Sequence, residues 1–225
     1  DRARFEAVSN SEIEEPEGGW KIKLVPHKEE KTLEIVDNGI GMNAEDLETN
    51  IGTIANSGTK AFLKELAEAD AADRPELIGQ FGVGFYASFM VADKVELLTR
   101  RAGDEKAWHW VSSGDGTYEL SESERESFGT TITLHLHDNE DATDYTQEYK
   151  LREIVKQYSD YIAFPVVMDV TKKEKDEEAS EEGEDPVYKD IIREETLNSM
   201  QAIWTRKKSE VSKEEYSAFY KGAFH

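Results

Sequence analysis

The chain has 225 residues, 37% hydrophobic and 34% charged, which is enough apolar material for one full core beneath a heavily solvated surface. Its 49 acidic residues against 27 basic ones give a net charge of −22, a field that repels nucleic acid and anionic lipid, and no basic cluster offsets it. Cysteine is absent, which excludes disulfides and thiolate metal sites and fits a reducing compartment, so the cytoplasm is expected; no apolar run approaches the roughly 20 residues of a membrane span.

The first ten residues, DRARFEAVSN, read as the last turns of a helix whose start lies before Asp1. Trp20 to Pro26 alternates apolar with basic residues and predicts a strand, with Leu33 to Val36 as its hairpin partner. The hairpin leads directly into DNGIGM, Asp37 to Met42. Asn43 is placed to cap a helix over Ala44 to Ile51, with Glu45 and Asp46 in the first turn, where the macrodipole favours acids. A second helix is expected over Thr59 to Ala67, after the Gly-, Ser- and Thr-rich GTIANSGT. Glycines at 79, 82 and 84 give way to an apolar helix from about Val83 to Val91. Strands are then expected at Lys94 to Thr99, Ala107 to Ser112, Tyr118 to Leu120 and Gly129 to His137, the last with Ile132, Leu134 and Leu136 inward. An amphipathic helix follows over Tyr145 to Tyr161, and FPVVMDV is a further strand. Residues 169–186 are dominated by acids and predict a disordered or extended linker. Strands at Val187 to Ile192 and Ala202 to Arg206 and a helix over Lys213 to Phe224 complete the pattern. Strands beside strands, with helices gathered elsewhere, predict an α+β fold: a two-layer sandwich with a mainly antiparallel sheet and helices on one face. The expected division is a unit over 1–168, the acidic linker 169–186, and the start of a second domain over 187–225.

Three features could carry chemistry. Gly79, Gly82 and Gly84 open a helix, where backbone N–H groups can turn toward a phosphate; the same glycines also serve a tight turn and close helix packing. Asp37 ends a strand, where its carboxylate can accept from an exocyclic amine and Gly41 leaves room for a flat ring; DNG is equally a plain turn. Thr130 could bond a ring nitrogen directly or through water, as any strand threonine could. The five histidines are scattered without metal-ligand spacing, and no G-x-S-x-G elbow occurs.

In order, DNGIGM, GTIANSGTKAF, IGQFGVGFYASF, GTTITLHL and WTRKKSEVSKEEYSAFYK resemble the ninety-kilodalton heat-shock chaperone family, and most closely its bacterial branch. DNGIGM and the glycine loop are shared with DNA gyrase B subunits, MutL and histidine kinases. The resemblance implies the nucleotide-binding fold of that superfamily and an ATP-driven chaperone that closes as a homodimer on client proteins. By position it implies that Asp37 bonds the adenine amino group, supported by Thr130 and a water, and that Gly41 and Met42 line the adenine slot. Asn50 then lies near the sugar and α-phosphate. Gly79, Gln80, Phe81, Gly82, Val83, Gly84 and Phe85 form the phosphate loop, and residues 43–82 the lid. ATP or ADP with Mg²⁺ is the implied cofactor. Asn56 stands where many members have lysine. The family's general-base Glu and its Mg²⁺-binding Asn correspond to residues before Asp1, and its γ-phosphate arginine to residues after His225. No catalytic residue is therefore expected among these 225, and negligible hydrolysis by them alone. The alternative is a non-catalytic interaction module that keeps the fold.

Overall fold

Alternating apolar residues joined by a short polar connection make the first hairpin: β1 (Ile22–His27) pairs antiparallel with β2 (Thr32–Asp37), Leu24 opposite Ile35. The computed structural model describes residues 2–7, 13–52, 84–139, 142–175, 188–201, 207, 209, 211–213, 215–217 and 220. Six further strands extend the hairpin: β3 (Ala92–Arg100), β4 (Ala107–Ser112), β5 (Glu119–Ser123), β6 (Gly129–Leu136), β7 (Val166–Lys175) and β8 (Tyr188–Thr196). Their order across the sheet is β5-β4-β3-β6-β2-β1-β7-β8. Every pairing is antiparallel except β1 with β7. That parallel contact covers only Ile22 to Leu24, and Pro26, which has no N–H to donate, lies beyond it.

One face of the sheet is apolar. Leu24, Leu33, Val95, Leu97, Trp110, Leu134, Leu136, Val166 and Met168 form a continuous core. Two helices cover this face. α1 (Arg2–Glu6) is a short N-terminal turn, whereas α2 (Ala44–Asn50) contributes Leu47, and α3 (Glu148–Tyr158) contributes Leu151 and Val155. Asn43 caps α2 as expected: its side chain accepts from Asp46 N at 2.9 Å, and the Asp46 carboxylate accepts from Asn43 N at 3.2 Å. The fold is therefore the expected α+β sandwich with helices on one face. None of the described helices is long and apolar enough to cross a membrane.

The apolar helix expected after the glycine loop forms, wound as a 3-10 helix, Gly84–Met90. Apolar periodicity does not distinguish a 3-10 from an α winding over so few residues; the tighter one is held by Tyr86, whose hydroxyl donates to Ile51 O at 2.7 Å, and by Phe85 edge-on to Trp110 at 5.5 Å. One expectation changes, in the acidic stretch. β7 runs through residue 168 to Lys175, and β8 pairs with it in the same sheet, so the expected break at 169 falls inside a strand and residues 188–196 belong to the first unit's sheet. Opposite charges make this polar hairpin possible: Lys172 meets Glu195 at 3.1 Å, Lys23 meets Asp169 at 2.7 Å, Lys21 meets Glu194 at 2.7 Å, and Arg193 pairs with Glu174. The helix expected over Thr59 to Ala67, the strand Ala202 to Arg206 and most of the helix Lys213 to Phe224 lie outside the described residues.

A single buried amide fastens the exit of β8. Asn198 Oδ1 accepts from Val166 N at 2.8 Å, and its Nδ2 donates to Ile162 O and Phe164 O, each at 3.0 Å. Asn198→Ala strands these three backbone groups, and an unfolding free energy lower by about 2 to 3 kcal/mol in urea titration is expected; a change below about 0.5 kcal/mol would show that water replaces the amide.

The other face of the sheet is polar and centres on Glu96. Its two oxygens meet His109 Nε2 at 2.8 Å and His135 Nε2 at 2.7 Å, with Lys94 Nζ at 2.7 Å. The histidines pair with Leu98 and Lys94 on either side of Glu96, so they straddle it diagonally. Burial opposes ionisation of Glu96, but the Lys94 ammonium and the two imidazoles outweigh it and hold its carboxyl down to about 2. A depressed acid lends stability above its ordinary value of 4.5 and loses it as pH falls toward 2. Glu96→Gln should thus flatten the fall of unfolding free energy across that window, and an unchanged slope would show the cluster to be energetically idle.

Candidate functional site

Asp37 is the last residue of β2, directly opposite Thr130 of β6, and Thr130 is in turn opposite Thr99 of β3. Three strands thus bring one carboxylate and two hydroxyls to the same end of the sheet, on the face that carries the helices. Thr99 is fully buried and Thr130 nearly so. The chain after Asp37 then turns sharply. Asp37 Oδ1 accepts from Gly39 N at 2.8 Å, closing an Asx turn, while Asn38 is drawn away to bond Lys21 N and Gly19 O.

Glycine is required here by the neighbouring backbone. Gly41 has φ +69°, and a Cβ on it would lie 1.9 Å from the Arg100 carbonyl oxygen. The fold itself also requires this glycine: the DNGIGM loop lies against the end of β3, and Ala102 N donates to Ile40 O at 2.8 Å. Gly129 does the same service on the other side, where a Cβ would come within 2.3 Å of Asp37 O.

Asp37 is electrostatically poised. Part of the residue reaches solvent, yet burial of the carboxyl pushes its pKa up, against the Gly39 hydrogen bond, the positive Arg125 guanidinium and the Thr130 backbone, which favour the ionised form. Arg125 is itself fixed, donating to Thr131 Oγ1 at 2.6 Å, Ser127 O at 3.0 Å and Leu98 O at 3.3 Å. Among the described residues Asp37 Oδ2 has no hydrogen-bond partner, so one carboxylate oxygen is available to an incoming donor.

Of the residues expected to bind a ligand, Asp37, Gly41, Met42 and Thr130 are brought together: Met42 N donates to Thr99 Oγ1 at 3.0 Å, one bond from Thr130. Asn50 is the last residue of α2, and Gly84 and Phe85 begin the 3-10 helix, with Phe85 and Met42 packed on the same core. Gly79, Gln80, Phe81, Gly82 and Val83 lie outside the described residues. Reading the sequence missed Thr99 and Arg125. Thr99 was detectable as a polar residue at an inward position, in step with Val95 and Leu97; Arg125, in a connection, carried no such signal. A separate open groove between the start of α2 and the β3–β4 turn is lined by Glu45, Asp104, Glu105, Lys106 and Trp108, an acidic rim unsuited to phosphate. No group of three or more His, Asp or Glu among the described residues is placed to hold a metal ion.

The sequence model described as "Histidine kinase-, DNA gyrase B-, and HSP90-like ATPase" matches residues 6–131, the stretch containing Asp37, Thr99 and Thr130. The chain belongs to this family. The model of the Hsp90 protein matches residues 144–191 and 173–225. The chaperone protein HtpG of Geobacter sulfurreducens is 56% identical over 228 residues, covering 100% of this chain and 35% of that protein. That of Geobacter metallireducens is 56% identical over 230 residues and that of Mycobacterium bovis 48% over 231, with the same coverage. The chain therefore spans 35% of the length of the curated relatives it matches.

Because burial raises the Asp37 pKa, its neutral form favours the fold: that contribution is present below the ordinary 3.8 and is lost as pH rises through the raised value. Asp37→Asn keeps the acceptor for Gly39 without the charge. It should be more stable than the parent at pH 7, with the difference narrowing in urea titrations as pH falls into the ordinary carboxyl range. A less stable variant at pH 7 would show that Arg125 and the backbone dipoles outweigh burial.

Proposed function

We propose that this chain is the nucleotide-binding part of an ATP-driven molecular chaperone. The observation that carries the reading is the enclosed Asp37 carboxylate, one oxygen held by Gly39 and the other open, beside Thr130 at the mouth of the sheet. That pair suits the amino edge of adenine, since an ionised carboxylate accepts two hydrogen bonds and rejects a carbonyl edge. Met42, on the backbone bond to Thr99, would flank the ring, and Asn50 at the end of α2 would lie toward the sugar and α-phosphate. The phosphates would extend to the glycine run Gly79 to Phe85, and residues 43–82 would act as the lid. The family match and the relatives named as chaperones support this reading.

Asp37 acts here as a binding group. Its free oxygen is committed to the base edge, so it takes no part in activating water, and turnover by these 225 residues alone is expected to be negligible. Mg²⁺ would accompany the triphosphate and neutralise its charge; the described residues offer no cluster of three or more acidic or histidine ligands for it. In the whole protein, nucleotide would drive closure of a homodimer around client proteins.

Calorimetric titration with ADP and Mg²⁺ tests the central claim. The parent should bind, and Asp37→Asn should lose roughly tenfold to a hundredfold in affinity, the worth of a hydrogen bond to a charged acceptor. Equal affinity in the two would remove Asp37 from the site.

A further inference from the structure

Thr99 Oγ1 takes part in three hydrogen bonds, all of 3.0 Å: with Met42 N, with Gly129 O and with Thr130 Oγ1. A hydroxyl has one proton and two lone pairs. Met42 N can only donate and the Gly129 carbonyl can only accept, so the Thr99 proton goes to Gly129 O and one lone pair takes the Met42 N–H. The remaining contact, with Thr130, leaves Thr99 as acceptor. The Thr130 proton is therefore spent on Thr99, and Thr130 turns only lone pairs toward whatever lies beside Asp37.

We infer that Thr99 is the positioning residue of the site: by consuming the Thr130 proton it makes Asp37 and Thr130 an acceptor-only pair, complementary to a ligand edge that presents two adjacent donors. This rests on the nucleotide reading above and deepens it. An adenine edge offers one donor, its amine, next to a ring nitrogen that accepts, so a water must supply the second donor between that nitrogen and Thr130. The same hydroxyl fixes the Met42 amide, so the loop and the hydroxyl are set by one atom. Thr99 is fully buried and reaches the ligand only through these two neighbours.

Two measurements on the intact protein separate this inference from the reading beneath it. A neutron structure after exchange into heavy water locates the Thr130 deuteron. It is expected on the line to Thr99, and a deuteron aimed away from Thr99 overturns the assignment whether or not nucleotide binds. ADP titrations then compare the parent with Thr99→Val, Thr99→Ser, Thr130→Val and the Thr99→Val/Thr130→Val double variant. Thr99→Val should weaken ADP about tenfold, Thr99→Ser should restore it to within about twofold, and Thr99→Val should cost less than about threefold in the Thr130→Val background because the two act as a unit. Equal losses in both backgrounds, or a serine variant as weak as valine, would reduce Thr99 to scaffold and overturn the inference. Should Thr99→Val fail to fold, the serine variant and the deuteron position still decide it. Failure of the parent to take up ADP would overturn the nucleotide reading, leaving the hydroxyl assignment to the neutron map.

Discussion

An ionised carboxylate is most stable in water, and Asp37 is held where water is scarce. Nearly everything unusual at this end of the sheet answers that constraint. Gly39 gives an N–H to the carboxylate, the Thr130 backbone and the Arg125 charge favour its ionised form, and Gly129 lets the neighbouring strand end close enough for β2 to finish on that residue. The loop that follows must then pass under the end of β3, which only a glycine at 41 allows. The residual cost is borne by the rest of the fold.

The two faces of the sheet divide the labour. On the helix face, apolar side chains exclude water and hold the strand ends in register, which sets the spacing of Asp37, Thr130 and Thr99. On the open face, charge is paired in the plane of the sheet, with Glu96 at the centre of one such group. A chain of −22 is not thereby neutral, but ion pairs such as Lys23–Asp169, Lys94–Glu96 and Lys172–Glu195 along the sheet limit self-repulsion within the fold.

Much of this was legible in the sequence because it rests on local rules. Period-two alternation located β1, β2, β3, β4 and β6, and Asn43 followed by Asp46 announced the start of α2. DNGIGM was recognisable as a tight turn at a strand end, whereas the close approach of Gly41 to the Arg100 carbonyl, far along the chain, was not. Long-range pairing explains the other gaps. The strand in the acidic stretch forms because Lys172 and Glu174 reach Glu195 and Arg193 diagonally across the hairpin, while Lys21 and Lys23 neutralise the directly opposed acids Asp169 and Glu194. Nothing local to 169–175 reveals a partner some twenty residues away. The bonds Thr99 makes were hidden for the same reason: its partners come from two other segments.

The β7–β8 hairpin has a root and a tip of different material. At the root, Val166, Val167, Met168 and Val170 are buried, and three of them pair directly with β1. Toward Lys175 and Tyr188 only backbone bonds and exposed ion pairs remain, and dissolved salt weakens the ion pairs while leaving apolar contacts intact. The two ends of the hairpin therefore answer to different solvents: dissolved salt reaches the ion pairs of the tip, while the apolar root keeps the last strands attached to the sheet.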